Sequence, residues 1–440
     1  MSSVTIASPP AACRKRASGK MTASMLYLCC VPLGAGVGAL TDGLTLGGSQ
    51  LSGFVWSGYL AAGILLLLGR MALDKQIGFT MPIAGWVPWA LLVWASLVWG
   101  EGIGPHNLQE AVQLTMPLMV GLLASSVIRQ RWQLNALFAS FAAASIVLLI
   151  SVPVDASGLL GVKDQGNRAA ALSATLFGCS LIALFPKDKA AGLAGWALCL
   201  LVTFVTGSRM ATAALLAVPI LHPLFHRVWL RPLAVASIAV VGVVLFYSPI
   251  FQERFFHTGS GTLSDVANGE MLDFGRLDAW PFLLEKASQS PVLGWGTGTA
   301  YEYVPQVWPL MHQCHNDYLR VFFETGALGL MCLLFAAFWQ VWRLKIAIAN
   351  SDGRLQQAFA GAYLGLLALL LTSLTDNTLG YNLQFTNPLF VLLGGAFGVA
   401  HAERARPESA RQDQDPVDRA APGRISLASH WARQCQGGQA

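Results

Sequence analysis

Residues 315–342 read HNDYLRVFFETGALGLMCLLFAAFWQVW, and this stretch decides the fold class. It passes from a polar segment into an apolar run long enough to cross a bilayer, because a spanning helix needs about 20 residues. Around it, the 440-residue chain is 54% hydrophobic and 12% charged. A soluble domain carries about twice that charged fraction. The sequence therefore predicts an all-α polytopic membrane protein.

Apolar runs of similar length repeat along the chain and predict about 12 transmembrane helices. They lie near 21–42, 52–69, 81–99, 108–128, 133–153, 168–186, 190–207, 210–225, 232–250, 317–342, 356–376 and 384–402. Residues 190–225 also fit one long broken span. The flanking segments are a polar tail over 1–20 and a tail over 403–440 that is rich in Arg, Asp, Gln and Pro, for which we expect disorder.

Most cations lie in alternate gaps between these runs, which the positive-inside rule assigns to the cytoplasm together with both termini. The net charge of +5 therefore gives no reason to expect a nucleic-acid partner. Several basic residues fall on the opposite, periplasmic side against this rule, and anion binding is the simplest reason for them. They are Lys163, Arg168, Arg209, Arg254, Arg276 and Lys286.

The segment 251–316 is the one sizeable loop predicted between spans, and it lies on the periplasmic side of a membrane domain over 21–402. It contains an amphipathic helix over 276–286, which we expect to bend or restart at Pro281. Glycines 294, 296 and 298 follow it. A nucleotide fingerprint needs a preceding strand and a soluble βαβ unit, so these glycines indicate a tight turn instead.

His315 ends this loop and is the candidate general base, because an imidazole can accept a proton near neutral pH. An interfacial hydrogen-bonding role is the alternative. Arg209 and Arg276 are the candidate phosphate ligands, since a guanidinium binds phosphate oxygens in pairs and keeps its charge. Snorkelling to the interface is the alternative for Arg209, and a solvated helix face for Arg276. No metal site is predicted, because neither an HExxH motif nor a pair of facing carboxylates accompanies the histidines.

Four motifs in this region resemble the signatures of the O-antigen ligase / Wzy-type polysaccharide polymerase superfamily. They are Thr206-Gly-Ser-Arg209, Arg276-x-x-x-Trp280, Ser290-Pro291-x-Leu-Gly294-x-Gly296-x-Gly298, and His315-Asn-Asp-Tyr318-Leu followed by Glu324-x-Gly326-x-x-Gly329-Leu330. The resemblance implies a GT-C-like enzyme of the bacterial inner membrane. Such an enzyme takes a glycan from undecaprenyl pyrophosphate on the periplasmic side and joins it to a sugar hydroxyl, without a metal or another cofactor.

The resemblance also implies roles for individual residues. His315 would deprotonate the acceptor, and Arg209 and Arg276 would stabilise the pyrophosphate leaving group, with inversion at the transferred sugar. The expected substrate-binding or supporting residues are Lys163, Arg168, Asn316, Tyr318, Glu324 and Asp376.

Two acceptors remain open, beside others such as a protein. A polymerase of O-antigen or exopolysaccharide, which we favour, would use another lipid-linked repeat unit, whereas a ligase would use lipid A-core. A transporter of lipid-linked sugars is the non-enzymatic alternative. Transporters place ionisable groups near the bilayer midplane and often carry internal repeats. Here the spans hold few charges, and we find no internal repeat.

Overall fold

The structure is a computed structural model that describes residues 21–41, 45–46, 49–73, 78–100, 104–156, 167–185, 187–224, 230–256, 258–268, 276–309 and 312–405. The tail over 1–20, Lys163 and all of the second tail beyond residue 405 lie outside the described residues. Within them the regular secondary structure is helical apart from one short hairpin, in which β1 (Thr45–Leu46) pairs antiparallel with β2 (Ser49–Gln50).

The helices follow one another along the chain in this order: α1 Ala23–Thr41, α2 Leu51–Leu73, α3 Val87–Ala95, α4 Pro105–Val127, α5 Arg131–Ala156, α6 Asn167–Ile182, α7 Lys189–Val205, α8 Arg209–Leu221, α9 Leu230–Phe246, α10 Pro249–Phe255, α11 Leu263–Ala267, α12 Arg276–Ala287, α13 Ala300–Tyr303, α14 Asp317–Ala349, α15 Gly353–Thr372 and α16 Asn387–Arg404. Short 3₁₀ turns cover Val304–Gln306 and Thr378–Gly380, and a π-helix covers Asn382–Thr386.

Six of the described helical segments are long and apolar enough to cross a membrane, which confirms the all-helical membrane class. They are Val55–Ala72, Pro105–Val127, Arg131–Val152, Asp317–Ala349, Gly353–Thr372 and Asn382–Arg404. Three further apolar helices are shorter, at Ala23–Ala39, Arg168–Ile182 and Lys189–Val205. The number of about 12 membrane crossings remains a prediction from the sequence.

The run predicted as a span over 81–99 is helical only over α3, yet it extends along the whole bundle. Its start lies beside the end of α4, where the Thr80 amide donates to Ser125 Oγ at 3.3 Å. Its end lies beside the glycine turn, where the Ser96 and Thr297 hydroxyls are 2.7 Å apart. Pro82 contributes to the non-helical entry, because the helical conformation is disfavoured for the residue that precedes a proline, here Met81.

Residues 190–225 form two helices rather than one broken span. α7 ends at Val205 and α8 begins at Arg209, and Gly207 turns the chain with a φ of 67°. α16 continues through Arg404, and the Glu403 carboxylate pairs with Arg131 at 2.6 Å.

The segment after α9 folds onto the first turns of α14. α12, which runs without a break through Pro281, packs its Ala279 and Leu283 against Leu319 and Phe323 in a small separate core. α14 itself breaks at Gly326, whose φ is 66°. The backbone groups freed by this break are satisfied by the chain before the glycine turn, since the Ala327 amide donates to the Pro291 carbonyl at 2.8 Å.

Candidate active site

The backbone at His315 is held in an uncommon conformation. Its φ of 51° is the one positive value found at a non-glycine residue among the described residues. On one side, the Trp280 indole donates to the Cys314 carbonyl at 2.6 Å. On the other, Asn316 caps α14 by accepting the Leu319 amide at 3.0 Å. Such a backbone conformation costs free energy and persists only where the surrounding contacts fix it. It therefore indicates that the imidazole is held in this orientation for a function.

Three polar side chains surround the His315 ring. Arg168 Nη1 lies 3.3 Å from Nε2 and 3.5 Å from Nδ1. Asn377 Nδ2 lies 3.1 Å from Nδ1, and Asp376 Oδ1 lies 3.6 Å from the same nitrogen. Arg168 and Asp376 also face each other, with 3.6 Å between Nε and Oδ2. The structure therefore brings together three predicted site residues from α6, the chain before α14 and the chain after α15.

Arg276, at the start of α12, completes this cluster. It is the first residue of α12 and is half-buried. Its positive charge acts on His315 electrostatically. The imidazole thus has one guanidinium at hydrogen-bonding distance and a second close enough to influence its protonation.

These surroundings set the charges of the acid–base pair. Burial lowers the pKa of His315, and Arg168 and Arg276 lower it further, against the raising effect of the Asp376 carboxylate. Burial alone would raise the pKa of Asp376, but its contacts with His315 and Arg168 outweigh burial and leave the pKa lowered. At neutral pH the site therefore holds a neutral imidazole, a carboxylate and two guanidinium groups.

Asp317 joins the two segments that carry His315 and Asp376. Its backbone amide donates to the Ser373 carbonyl at 2.9 Å. One carboxylate oxygen accepts the Ser373 hydroxyl at 2.9 Å and the Leu379 amide at 2.8 Å. The other oxygen accepts an N–H from Arg320 Nη2 at 2.8 Å. This fully buried network fixes the distance between the histidine and the loop after α15.

Arg209 stands at the same end of the bundle as Arg168. Arg209 is the first residue of α8, and Arg168 is the second residue of α6. These two helices pack against each other. Their far ends meet where the His222 ring lies 3.2 Å from the Ile182 carbonyl. Counting back from this contact along parallel helices brings Arg168 and Arg209 to nearly the same level.

The first turn of α8 is suited to an anion. Ser208, the residue before the helix, makes no side-chain cap. Amide groups in the first turn of a helix have no partner within the helix, and the helix dipole adds partial positive charge there. Together with Arg209, this turn can contribute to binding a phosphate group.

The other predicted substrate-binding residues have partners inside the protein. Asn316 is the cap of α14, and the Tyr318 hydroxyl donates to the Leu370 carbonyl at 2.8 Å. Glu324 is buried, and its backbone carbonyl accepts the Gly296 amide at 2.7 Å. This contact gives Glu324 a role in docking the glycine turn. Lys163 lies outside the described residues.

Sequence reasoning did not single out Tyr381, whose side chain interacts electrostatically with Arg168. It lies just before the π-helix Asn382–Thr386. The only sequence signal was a tyrosine at the end of an apolar run, which is also typical of the membrane interface. The partner of His315 at Nδ1, Asn377, follows Asp376 in the polar patch between the last two spans.

One comparison with known proteins identifies a family. Residues 194–334 match a family model described as O-antigen ligase. The matched part includes Arg209, Arg276, the glycine turn and His315, whereas Arg168, Asp376 and Tyr381 lie outside it. No curated protein matches the chain.

Proposed function

Because this protein carries an O-antigen ligase domain over residues 194–334, we propose that it is a glycosyltransferase of the bacterial inner membrane acting at the periplasmic face. The donor is a glycan linked to a lipid through a diphosphate, of the undecaprenyl type. The acceptor is a sugar hydroxyl. Both termini lie in the cytoplasm, as the distribution of basic residues predicts.

One observation carries this proposal. A half-exposed guanidinium and a second arginine flank a buried histidine whose pKa is lowered. The lowered pKa keeps the histidine able to accept a proton, and the arginines supply the positive charge that a departing diphosphate needs. Both requirements of glycosyl transfer from a lipid diphosphate are thus met around one ring.

The reaction is a single displacement. The acceptor hydroxyl oxygen attacks the anomeric carbon, and its proton passes to Nε2 of His315. The bond between the anomeric carbon and the phosphate oxygen breaks, and its electron pair leaves with the lipid diphosphate. Arg168 and Arg276 stabilise this growing negative charge, with Arg209 adding to it from the start of α8. One attack on the face opposite the leaving group inverts the configuration, and arginines take the place of a divalent cation.

Asp376 and Asn377 act through His315. The Asp376 carboxylate lies on the Nδ1 side of the ring at 3.6 Å, and Arg168 lies on the Nε2 side at 3.3 Å. Nε2 takes the acceptor proton once the donor diphosphate has drawn the Arg168 guanidinium away from it. As the imidazole becomes positive, the same carboxylate stabilises the charge. The Asn377 side chain, 3.1 Å from Nδ1, restricts rotation of the ring.

The acceptor in this proposal is a second lipid-linked repeat unit, as in a polymerase of O-antigen or exopolysaccharide. Ligation onto lipid A-core uses the same donor chemistry and gives a different product. In a deletion strain, a single repeat retained on lipid A-core indicates a polymerase. Lipid A-core without any repeat indicates a ligase.

The direct test uses purified protein in proteoliposomes with a radiolabelled lipid-diphosphate glycan and no ion gradient, in the presence of EDTA. We expect labelled glycan to be transferred by the wild type and not by His315→Ala. Movement of an unchanged lipid-linked glycan across the membrane would support a transporter instead. Loss of transfer in EDTA would contradict the metal-independent mechanism.

A further inference from the structure

We propose that the stacked rings of His106, Tyr301 and His312 form a carbohydrate-binding subsite for the sugars next to the one that reacts at His315. The inference rests on the proposed function, because its ligand is the glycan chain of a substrate used at that site. The three rings come from separate parts of the chain. His106 is the second residue of α4, Tyr301 lies in α13, and His312 belongs to the segment that leads to His315.

The three rings lie in one row. The ring centroids of His106 and Tyr301 are 4.0 Å apart, with an angle of 36° between the ring planes. Those of Tyr301 and His312 are 4.7 Å apart, with an angle of 18°. Two rings this close cannot share one face of the tyrosine, so each face of Tyr301 carries an imidazole. His312 is exposed and has only one face against Tyr301, which leaves its outer face for a ligand.

Contacts behind the rings hold the row in place. On α4, the Asn107 side chain donates to the Thr297 carbonyl in the glycine turn at 3.0 Å. On α13, Tyr303 packs edge-to-face against Phe323 of α14, with 5.3 Å between the ring centroids. These contacts fix α4, α13 and the first turns of α14 relative to one another. A surface that is ordered before binding loses little conformational entropy when a ligand arrives.

The row lies within reach of the reacting hydroxyl. Three residues of fully extended chain span at most about 11 Å, so the Cα atoms of His312 and His315 are no farther apart than that. A glycan whose reacting sugar stands at the His315 imidazole can therefore place a following sugar against the His312 ring.

A sugar ring suits this surface in shape and polarity. A pyranose carries C–H groups on one face and hydroxyl groups around its edge. The face of an aromatic ring is electron-rich and attracts such C–H groups. Glu302 adjoins Tyr301 and is exposed, and its carboxylate oxygens can accept hydrogen bonds from sugar hydroxyls. Aromatic surface with a few polar groups beside it is the usual composition of a small-molecule site.

Charge separates this subsite from the place of the diphosphate. The guanidinium groups of Arg168 and Arg276 make the surroundings of His315 favourable for phosphate oxygens. At the row of rings, the carboxylate of Glu302 repels a phosphate group. The two parts of a lipid-linked glycan, its diphosphate and its sugars, thus meet surroundings of opposite charge.

The test measures binding of the oligosaccharide that mild acid releases from the lipid-diphosphate glycan of the transfer assay. Saturation-transfer difference NMR on the purified full-length protein in detergent detects this binding and identifies the sugar protons in contact. We expect His312→Ala to weaken binding roughly three- to tenfold, the size of one aromatic contact. His312→Phe keeps a ring and should bind as the wild type does. Tyr247→Ala, which removes an exposed ring directly after α9, is the matched control and should also bind normally.

Three results would overturn the proposal: no binding of the oligosaccharide by the wild type, equal binding by the wild type and His312→Ala, or an equal loss in Tyr247→Ala. Thermal unfolding of each variant identifies a loss caused by misfolding, and in that case His312→Gln repeats the comparison. Wild-type binding without any glycan transfer would contradict the proposed function and leave the subsite intact. Transfer with binding unchanged by His312→Ala would contradict the subsite alone.

Kinetics identify the substrate that supplies the sugars. In proteoliposomes, His312→Ala should raise KM and leave kcat within a few-fold of the wild type, because the ring holds sugars and does not touch the reacting atoms. A raised KM for the acceptor assigns the subsite to the acceptor glycan, and a raised KM for the donor assigns it to the donor glycan. An unchanged KM for both substrates, or a loss confined to kcat, would contradict the proposal.

Discussion

Arg168 Nη1 lies 3.3 Å from Nε2 of His315, so a permanent cation from α6 faces the nitrogen that is proposed to take the acceptor proton. A cation at this distance disfavours protonation of the imidazole and favours an anion beside it. The base and the anion site are thus parts of one arrangement, and the following predictions test it.

Removal of the imidazole should abolish transfer while donor binding persists. A general base contributes about 10²–10⁴-fold to a reaction rate, so we expect His315→Ala to lose activity on that scale in single-turnover assays. His401→Ala, in the last turn of α16 at the other end of the bundle, is the control. Activity of His315→Ala within a few-fold of the wild type would remove His315 from the mechanism.

Removing Arg168 or Asp376, the charged neighbours of His315, should shift the pH dependence of the transfer rate in opposite directions. The lowered pKa predicts that wild-type kcat/KM falls only below 6.5, the ordinary value, as the imidazole becomes protonated. Arg168→Gln removes a charge that lowers this pKa, so the acidic limb should move to higher pH. Asp376→Asn removes a charge that raises it, so the limb should move to lower pH. Shifts in the same direction for both variants would contradict the geometry.

Loss of the Asp317 carboxylate should destabilise the site end of the bundle. Asp317 is fully buried and pairs with Arg320, and removing one member of a buried pair costs about 3–5 kcal/mol. Asp352→Ala is the control, because its pairing with Arg131 is half exposed and worth about 1 kcal/mol or less. Thermal unfolding in detergent measures both variants, and equal shifts would show that the buried network does not hold the segments together.

A side chain at Gly326 should detach the loop from α14. The φ of 66° is unfavourable for alanine, and the added Cβ would collide with the Val292 carbonyl. We expect Gly326→Ala to lower the free energy of unfolding by at least about 1–3 kcal/mol and to expose the segment around the glycine turn to protease. Gly58→Ala, which meets open space in α2, should leave both measurements unchanged.

Much of the fold follows from the sequence because length and apolarity dictate membrane helices. The positions of α4, α5, α15 and α16 agree with the predicted spans to within a few residues, and α14 starts at the predicted residue but continues to Ala349 instead of ending near 342. The start of the run at 81–99 was harder to predict. Its composition is that of a helix, but Pro82 sets a local conformation that hydropathy does not report.

The site was predicted in part. His315, Arg276 and Asp376 were named from charge and position, and Arg168 was given only an assisting role. Its contact with His315 depends on how α6 packs, which no local pattern reveals. Asn316 and Tyr318 were expected to meet the substrate because they flank the histidine, yet their side chains satisfy the protein's own backbone. Tyr381 was missed because a π turn has no sequence signature.

The most direct test of the central claim is a structure of the protein with a lipid diphosphate-linked glycan bound. The account predicts diphosphate oxygens within hydrogen-bonding distance of both Arg168 and Arg276, with the anomeric carbon on the Nε2 side of His315. A diphosphate bound elsewhere in the bundle, in contact with neither arginine, would contradict it.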